Sequence, residues 1–255
     1  MPTREDVLNT AAAWLWIPYD AEVHETEHAK VVVKDGKGSV HRAEGLPGPE
    51  LVAHVRGLTP SVPTLWAVHD LSVPADLAET LLRLGASVKE DFDVLALDLT
   101  DGVPDLAVPD DVEVRRADGP EVLDLIYPVT AAAFGTPLAN AAFREGDVAD
   151  VARQVAAGKD RTIFRYLGLV DGVPAAHAGL TLDDGVAKLW AGGVVEQYRH
   201  RGAYRAVMAA RFTEAFERGA RYALVKARKG TSSPILRRAG FEVYGNEVHY
   251  PLPPA

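Results

Sequence analysis

The stretch that decides the fold is Val194-Val195-Glu196-Gln197-Tyr198-Arg199-His200-Arg201-Gly202-Ala203-Tyr204-Arg205. An apolar, β-prone run ends at Val195, a basic loop containing a glycine follows, and a helical pattern opens at Ala203. Gln197 to Thr213 holds four arginines and one histidine and no acidic residue, in a chain whose formal net charge is −9. A helix N-terminus presents unpaired N–H groups and the positive end of the helix dipole, so it suits an anion. Arginines in the first turn oppose that dipole, and a bound phosphate reverses the sign of the cost. Two readings follow from the local sequence: a phosphate loop, or a solvated basic loop whose arginines pair with the abundant acids.

The pattern on either side is α/β. Upstream, Gly192-Gly193 interrupts an otherwise good strand, which marks a bulge or the close approach of another backbone or a ligand. Before it run three strands, Arg161–Val170, Val173–Leu182 and Val186–Val195, joined at Asp171-Gly172 and Asp183-Asp184-Gly185. Asp-Gly between apolar runs is a hairpin signal, because both residues tolerate positive φ. The three strands are therefore expected as an antiparallel meander. Ahead of them the pattern gives an edge strand at Val112–Arg116 and helices at Glu121–Phe134 and Asp147–Ala157. After the basic loop, Tyr204, Met208, Phe212, Ala215 and Phe216 recur at helical spacing within Ala203–Arg218 and are expected to face the sheet. A strand at Tyr222–Ala227, a short helix at Pro234–Arg238 closed by Gly240, and a last strand region at Phe241–Pro251 complete the chain.

The first hundred residues carry a looser version of the same ingredients. Lys30–Lys34 and Ser39–Arg42 flank Asp35-Gly36-Lys37-Gly38 as a hairpin; Thr64–Val68 reads as a strand, Ala75–Leu84 as a helix and Val94–Leu99 as a strand. Leu81-Leu82-Arg83-Leu84-Gly85 resembles Leu236-Arg237-Arg238-Ala239-Gly240 at the close of the second half. Between the halves, Val103–Asp111 holds two prolines and three aspartates and reads as a linker. The domains are accordingly expected at 1–102 and 112–255.

Composition bounds the function. Hydrophobic residues make up 47% and charged residues 25%, as in ordinary globular proteins. Met1–Asp20 has no basic segment ahead of its apolar cluster and reads as a first helix rather than a signal peptide. With no cysteine, disulfides, thiolate nucleophiles and Cys-ligated zinc are excluded. The acidic balance opposes loose binding to nucleic acid or to an anionic membrane and suits a cationic acceptor such as an amine. The expected location is the cytoplasm. His24-Glu25-Thr26-Glu27-His28 matches the zinc-protease pattern, but that chemistry needs a long helix. The β-prone run Lys30-Val31-Val32-Val33 starts two residues later, so no metal is expected. His177, among small residues on the middle meander strand, reads as a core histidine or as one pointing into a cleft.

Arg199-His200-Arg201-Gly202-Ala203 resembles the pyrophosphate loop of the GNAT acyltransferases, Gln/Arg-x-x-Gly-x-Gly/Ala. The element order is similar to that fold over roughly residues 112–255. The resemblance implies two GNAT-like mixed-sheet α/β (α+β) halves, a catalytic C-terminal one and a degenerate N-terminal one lacking the basic loop. It implies acetyl-CoA as acyl donor, with contacts near Val194 and from Arg199, His200, Arg201, Gly202, Ala203, Tyr204 and Arg205. Thr231 and Ser232 would line the other side, with Arg228 and Lys229 near the adenosine phosphates. The acceptor would be a small-molecule or peptide amine. Two departures stand out. Tyr204 occupies the last Gly/Ala position, an Arg-Gly-x-x-Arg form that resembles members pairing two GNAT-like halves. Leu236 stands where many members carry a tyrosine acid, so catalytic residues are left unassigned. Rival readings are a non-catalytic acyl-CoA-binding or regulatory module, and an aminoacyltransferase using charged tRNA, against which the net acidity counts.

Overall fold

A computed structural model describes residues 1–254. In chain order, α1 (Arg4–Ala13) precedes β1 (Glu22–Glu25), β2 (Ala29–Lys34), β3 (Lys37–Ala43), α2 (Gly48–Leu58) and β4 (Thr64–His69). Then come α3 (Leu77–Arg83), β5 (Glu90–Asp98), β6 (Val112–Arg116), α4 (Pro120–Phe134) and α5 (Ala141–Ala156). The second half continues with β7 (Ile163–Val170), β8 (Val173–Asp183), β9 (Val186–Val194), α6 (Ala203–Glu217), β10 (Tyr222–Arg228), α7 (Ser232–Arg238) and β11 (Glu242–Leu252). Among the described residues no helix is long and apolar enough to cross a membrane.

The chain divides into two compact units that do not follow its midpoint. One, the meander unit, gathers Met1–Pro2, Ala96–Val225 and Leu236–Glu242. The other, the N-terminal unit, gathers Thr3–Leu95, Lys226–Ile235 and the residues from Val243 onward. The segment Val103–Asp111 lies inside the meander unit.

In the meander unit the strand order is β10-β9-β8-β7-β6, with β6 to β9 antiparallel and β10 parallel to β9. The hairpins form where the sequence places them. Asp171 and Gly172 take φ of 51° and 75°, and Asp184 and Gly185 take 48° and 71°. Two successive positive φ values make the tight turn that matches strand twist. Alternation along β7 sorts the two faces of the sheet. Leu167 and Leu169 join Leu123, Ile126, Tyr127 and Val129 of α4 and Val151 of α5 in one core. Gly168 between them points the other way, where a Cβ would lie 3.0 Å from Val207 of α6. Helix α5 starts earlier than the periodicity predicts, because Asn140 caps it through the Phe143 N–H at 2.8 Å.

Helix α6 buries Met208, Phe212 and Ala215 as expected, but Phe216 is 45% exposed. Val207, Arg211 and Ala215 centre the buried face, and at 100° per residue Phe216 turns away from it. The apolar pattern had hidden that an arginine lies in the middle of that face.

In the N-terminal unit the order is β1-β2-β3-β4-β11-β5. Asp35 and Gly36 make the β2–β3 turn, with φ of 50° and 69°. Helices α2 and α3 supply Leu51, Val52, Val55, Leu77 and Leu81 to a core with Val31, Val40, Trp66, Tyr250 and Leu252. Helix α2, which the sequence reading left out, provides the crossover that β3 and β4 need to run parallel. The last strand, β11, pairs antiparallel with β4 from Glu247 opposite His69 to Leu252 opposite Thr64. His24 sits on β1 and His28 in the turn after it, so the His-Glu-x-x-His match is strand and turn, and the two do not share a helix face.

Candidate functional site

The site in the meander unit starts from a fault in the ladder. On β8 and β9, Gly179 pairs with Trp190 and His177 with Gly193. Ala191 and Gly192 therefore stand against Ala178 alone, a β-bulge absorbed by Ala191 at φ 49°. Both glycines are explained by protein packing. A Cβ at Gly192 would lie 3.1 Å from the Tyr204 ring, and one at Gly193 would lie 2.8 Å from Phe134. On its other edge β9 meets β10 only through Val186, Ala187 and Lys188, opposite Tyr222, Ala223 and Leu224. Beyond Lys188 the two strands no longer pair, so the bulged end of β9, up to Val194, presents an open backbone edge.

The basic loop follows directly. His200 and Gly202 both take positive φ, 65° and 84°, and turn the chain into α6 at Ala203. Gly202 is the N-cap and offers no side chain, so the first-turn amides of Ala203, Tyr204 and Arg205 have no side-chain cap. Here the loop's basic charge divides. The Arg201 guanidinium donates to Asp111 at 2.9 Å and to Asp171 at 3.1 Å, which ties the loop to the β6–β7 end of the sheet. Those two carboxylates raise its pKa above the usual arginine value. Arg205 donates to the Leu106 carbonyl at 3.3 Å. Arg199 is 3.7 Å from Glu196 and half exposed. Arg201 is thus paired with acids, while Arg199 is half exposed and the first-turn amides have no side-chain cap. A Cβ on Gly202 would lie 2.5 Å from Pro109, so the expected linker residue packs onto the loop.

Sequence reasoning missed a buried polar group beneath the meander. Arg165 on β7 forms an ion pair with Asp147 and lies 3.7 Å from Asp150, both on α5 and both buried. The Tyr127 hydroxyl donates to Asp147 at 3.3 Å, and burial followed by the Asp147 charge raises the pKa of that phenol. Arg165 also lies over the Trp190 ring, 5.4 Å from its centroid. On the other face Arg211 of α6 is 2% exposed and donates to the Val207 carbonyl at 3.2 Å and the Gly179 carbonyl at 3.4 Å. His177 is 4% exposed, with Nδ1 2.9 Å from the Thr130 hydroxyl. Burial, then the charges of Arg165 and Arg211, lower its pKa to about 3. Arg165 interrupts an apolar run, Phe164 to Leu169, whereas Asp147 and Asp150 lie in the polar sequence of α5 and carry no local sign that they will be buried.

The remaining expected residues lie in the N-terminal unit. Thr231 is exposed in the turn before α7, and Ser232 opens that helix. Ser233 is buried and donates to Asp93 at 2.5 Å. Arg228 and Lys229 are paired with Glu90 at 2.8 Å and Asp91 at 2.9 Å. Leu236 belongs to the meander unit and is 1% exposed. The structure therefore gathers Val194 and Arg199–Arg205 in one strand-loop-helix segment, and Thr231 and Ser232 in another unit.

No family model and no curated protein matches the chain by sequence. Solved structures match it over nearly its whole length. It is similar to a GCN5-related N-acetyltransferase from Kribbella flavida, at 20% identity and a TM-score of 0.63, covering 92% of this chain and 90% of that one. A GCN5-related N-acetyltransferase from Sphaerobacter thermophilus matches at 18% identity and 0.63, covering 98% and 86%. A tandem GNAT protein from the clavulanic acid biosynthesis pathway matches at 17% and 0.61, covering 97% and 88%. The bulged strand with its open edge, the uncapped helix after the basic loop and these likenesses agree: the chain has the mixed-sheet α/β fold of the GCN5-related N-acetyltransferases.

Proposed function

We propose that the protein transfers an acetyl group from acetyl-CoA to an amine. The observation that carries this reading is the open edge of β9 leading, through the basic loop, into the uncapped N-terminus of α6. An acyl donor of this kind carries amides, which need backbone partners, and a diphosphate, which needs N–H donors and positive charge. The residues present fit both demands. Residues Leu189–Val194 offer the backbone edge; the amides of Gly202–Arg205, with Arg199, offer the anion site. Arg201 serves by anchoring the loop through Asp111 and Asp171. In the reaction the neutral amine attacks the thioester carbonyl, a C–N bond forms, the C–S bond breaks, and the CoA thiolate leaves. The amine's proton passes to water or to a base. A β9 amide near Val194 would stabilise the oxyanion.

Calorimetry with acetyl-CoA and thiol release with a panel of primary amines test the proposal. Arg199→Ala is expected to weaken acetyl-CoA binding by about 1.5–3 kcal/mol, the worth of a charge-assisted hydrogen bond. Absence of acetyl-CoA binding in the folded protein would end the reading. The buried aliphatic Leu236, where a phenol is absent, favours a second reading, a non-catalytic acyl-CoA-binding module; binding without thiol release to any amine would select it.

A further inference from the structure

One histidine of the meander unit has only half of its ring satisfied. The Thr130 hydroxyl donates its single proton to the Ile126 carbonyl at 2.9 Å. In its 2.9 Å contact with His177 Nδ1 it must therefore accept, so the ring carries its proton on Nδ1. Nε2 is then a bare lone pair. It is fully buried and has no hydrogen-bond partner. Such an unsatisfied buried acceptor is a cost to the fold, which a bound donor removes.

His177 stands directly opposite Gly193 across the ladder, and cross-strand partners share a face. The ring therefore lies beside the bulged end of β9, against a residue without a side chain. Leu167 is its partner on the other side, and the Trp190 ring stands edge-on at 6.2 Å. These two neighbours are apolar or aromatic, and the charged side chains whose fields reach the ring are Arg165 and Arg211. Thr130, Trp190 and Gly193, which border the ring, are each partly open to solvent. The acyl donor belongs to the opposite edge of β9, which leaves the other substrate.

We propose that His177 is a positioning residue for the acceptor amine, its Nε2 accepting a hydrogen bond from the amine N–H. This rests on the acyl-transfer reading above. The ring stays neutral at any working pH, so it orients the nitrogen without taking its proton. The requirement that the amine attack in its neutral form is consistent with a neutral acceptor beside it.

The test uses thiol release from acetyl-CoA with a panel of primary amines. For the best acceptor, His177→Leu is expected to raise the acceptor KM at least tenfold while the acetyl-CoA KM stays within twofold. His177→Gln, whose side-chain oxygen can accept, is expected to recover most of that loss. An unchanged acceptor KM in the folded leucine variant, or a parallel rise in both KM values, overturns the proposal. If no amine releases thiol, acyl transfer itself fails, and the histidine is judged separately. Nitrogen-15 spectra of the imidazole are then recorded with each amine added to the CoA-saturated protein. An Nε2 resonance moved by an amine, with Nδ1 unmoved, supports the site; one moved by none overturns it, as does an ordered water on Nε2 that no amine displaces.

Discussion

Replacing Gly202 by alanine tests how the basic loop is held. Its φ of 84° puts an L-residue in the left-handed region, at a cost of roughly 1–2 kcal/mol. The added Cβ would also lie 2.5 Å from both Cδ and Cγ of Pro109, and a pyrrolidine ring cannot swing aside. Overpacking of this kind costs about 1–3 kcal/mol, so the total expected loss is about 2–5 kcal/mol. Gly219 provides the control, since it has φ 74° and nothing within 4 Å of the added Cβ. Gly219→Ala should therefore lose only the conformational part. Urea denaturation of both variants measures the difference, which belongs to the Pro109 contact. Adding Pro109→Ala to each then completes a double-mutant cycle, with coupling expected at 202 and none at 219. If Gly202→Ala costs no more than Gly219→Ala, Pro109 does not seat the loop, and the packing argument fails.

Two further outcomes follow from the buried polar groups. An unfolded His177 takes a proton below about pH 6.5, whereas the folded ring resists until about 3. The unfolded state therefore binds more protons across that window, and stability falls with falling pH. Between pH 6.5 and pH 4 the wild type should lose about 3 kcal/mol more than His177→Gln, at about 1.4 kcal/mol per unit; equal pH slopes would disprove the buried neutral ring. Asp147→Asn should destabilise by roughly 3 kcal/mol, because it removes the closer carboxylate from the buried Arg165 and leaves Asp150 at 3.7 Å. A denaturant midpoint unchanged in that variant would show the pair to be dispensable.

Much of the architecture was legible because it is local. Asp171-Gly172 and Asp184-Gly185 make hairpins because their positive φ is a property of two adjacent residues. The strand, basic loop and helix from Leu189 to Glu217 could be read for the same reason, as could the bulge signalled by Gly192-Gly193. Helix α5 was misplaced at its start because Asn140 capping competes with an apolar pattern that begins later.

What the tertiary structure alone decided are the partners. That the loop's arginines could pair with acids was legible, but not which acids: Arg201 is held by Asp111 and Asp171, 90 and 30 residues away. The pairing of β11 with β4, between the two ends of the chain, leaves no trace in either strand's own pattern. Arg165 and Asp147 are each ordinary surface residues by composition, and only together do they tolerate burial, since each neutralises the cost of desolvating the other. The orphaned Nε2 of His177 is likewise a fact about what Thr130, Leu167 and Trp190 do not offer. Backbone conformation is set by neighbours in sequence; the ionisation and hydrogen bonding of a buried group are set by neighbours in space.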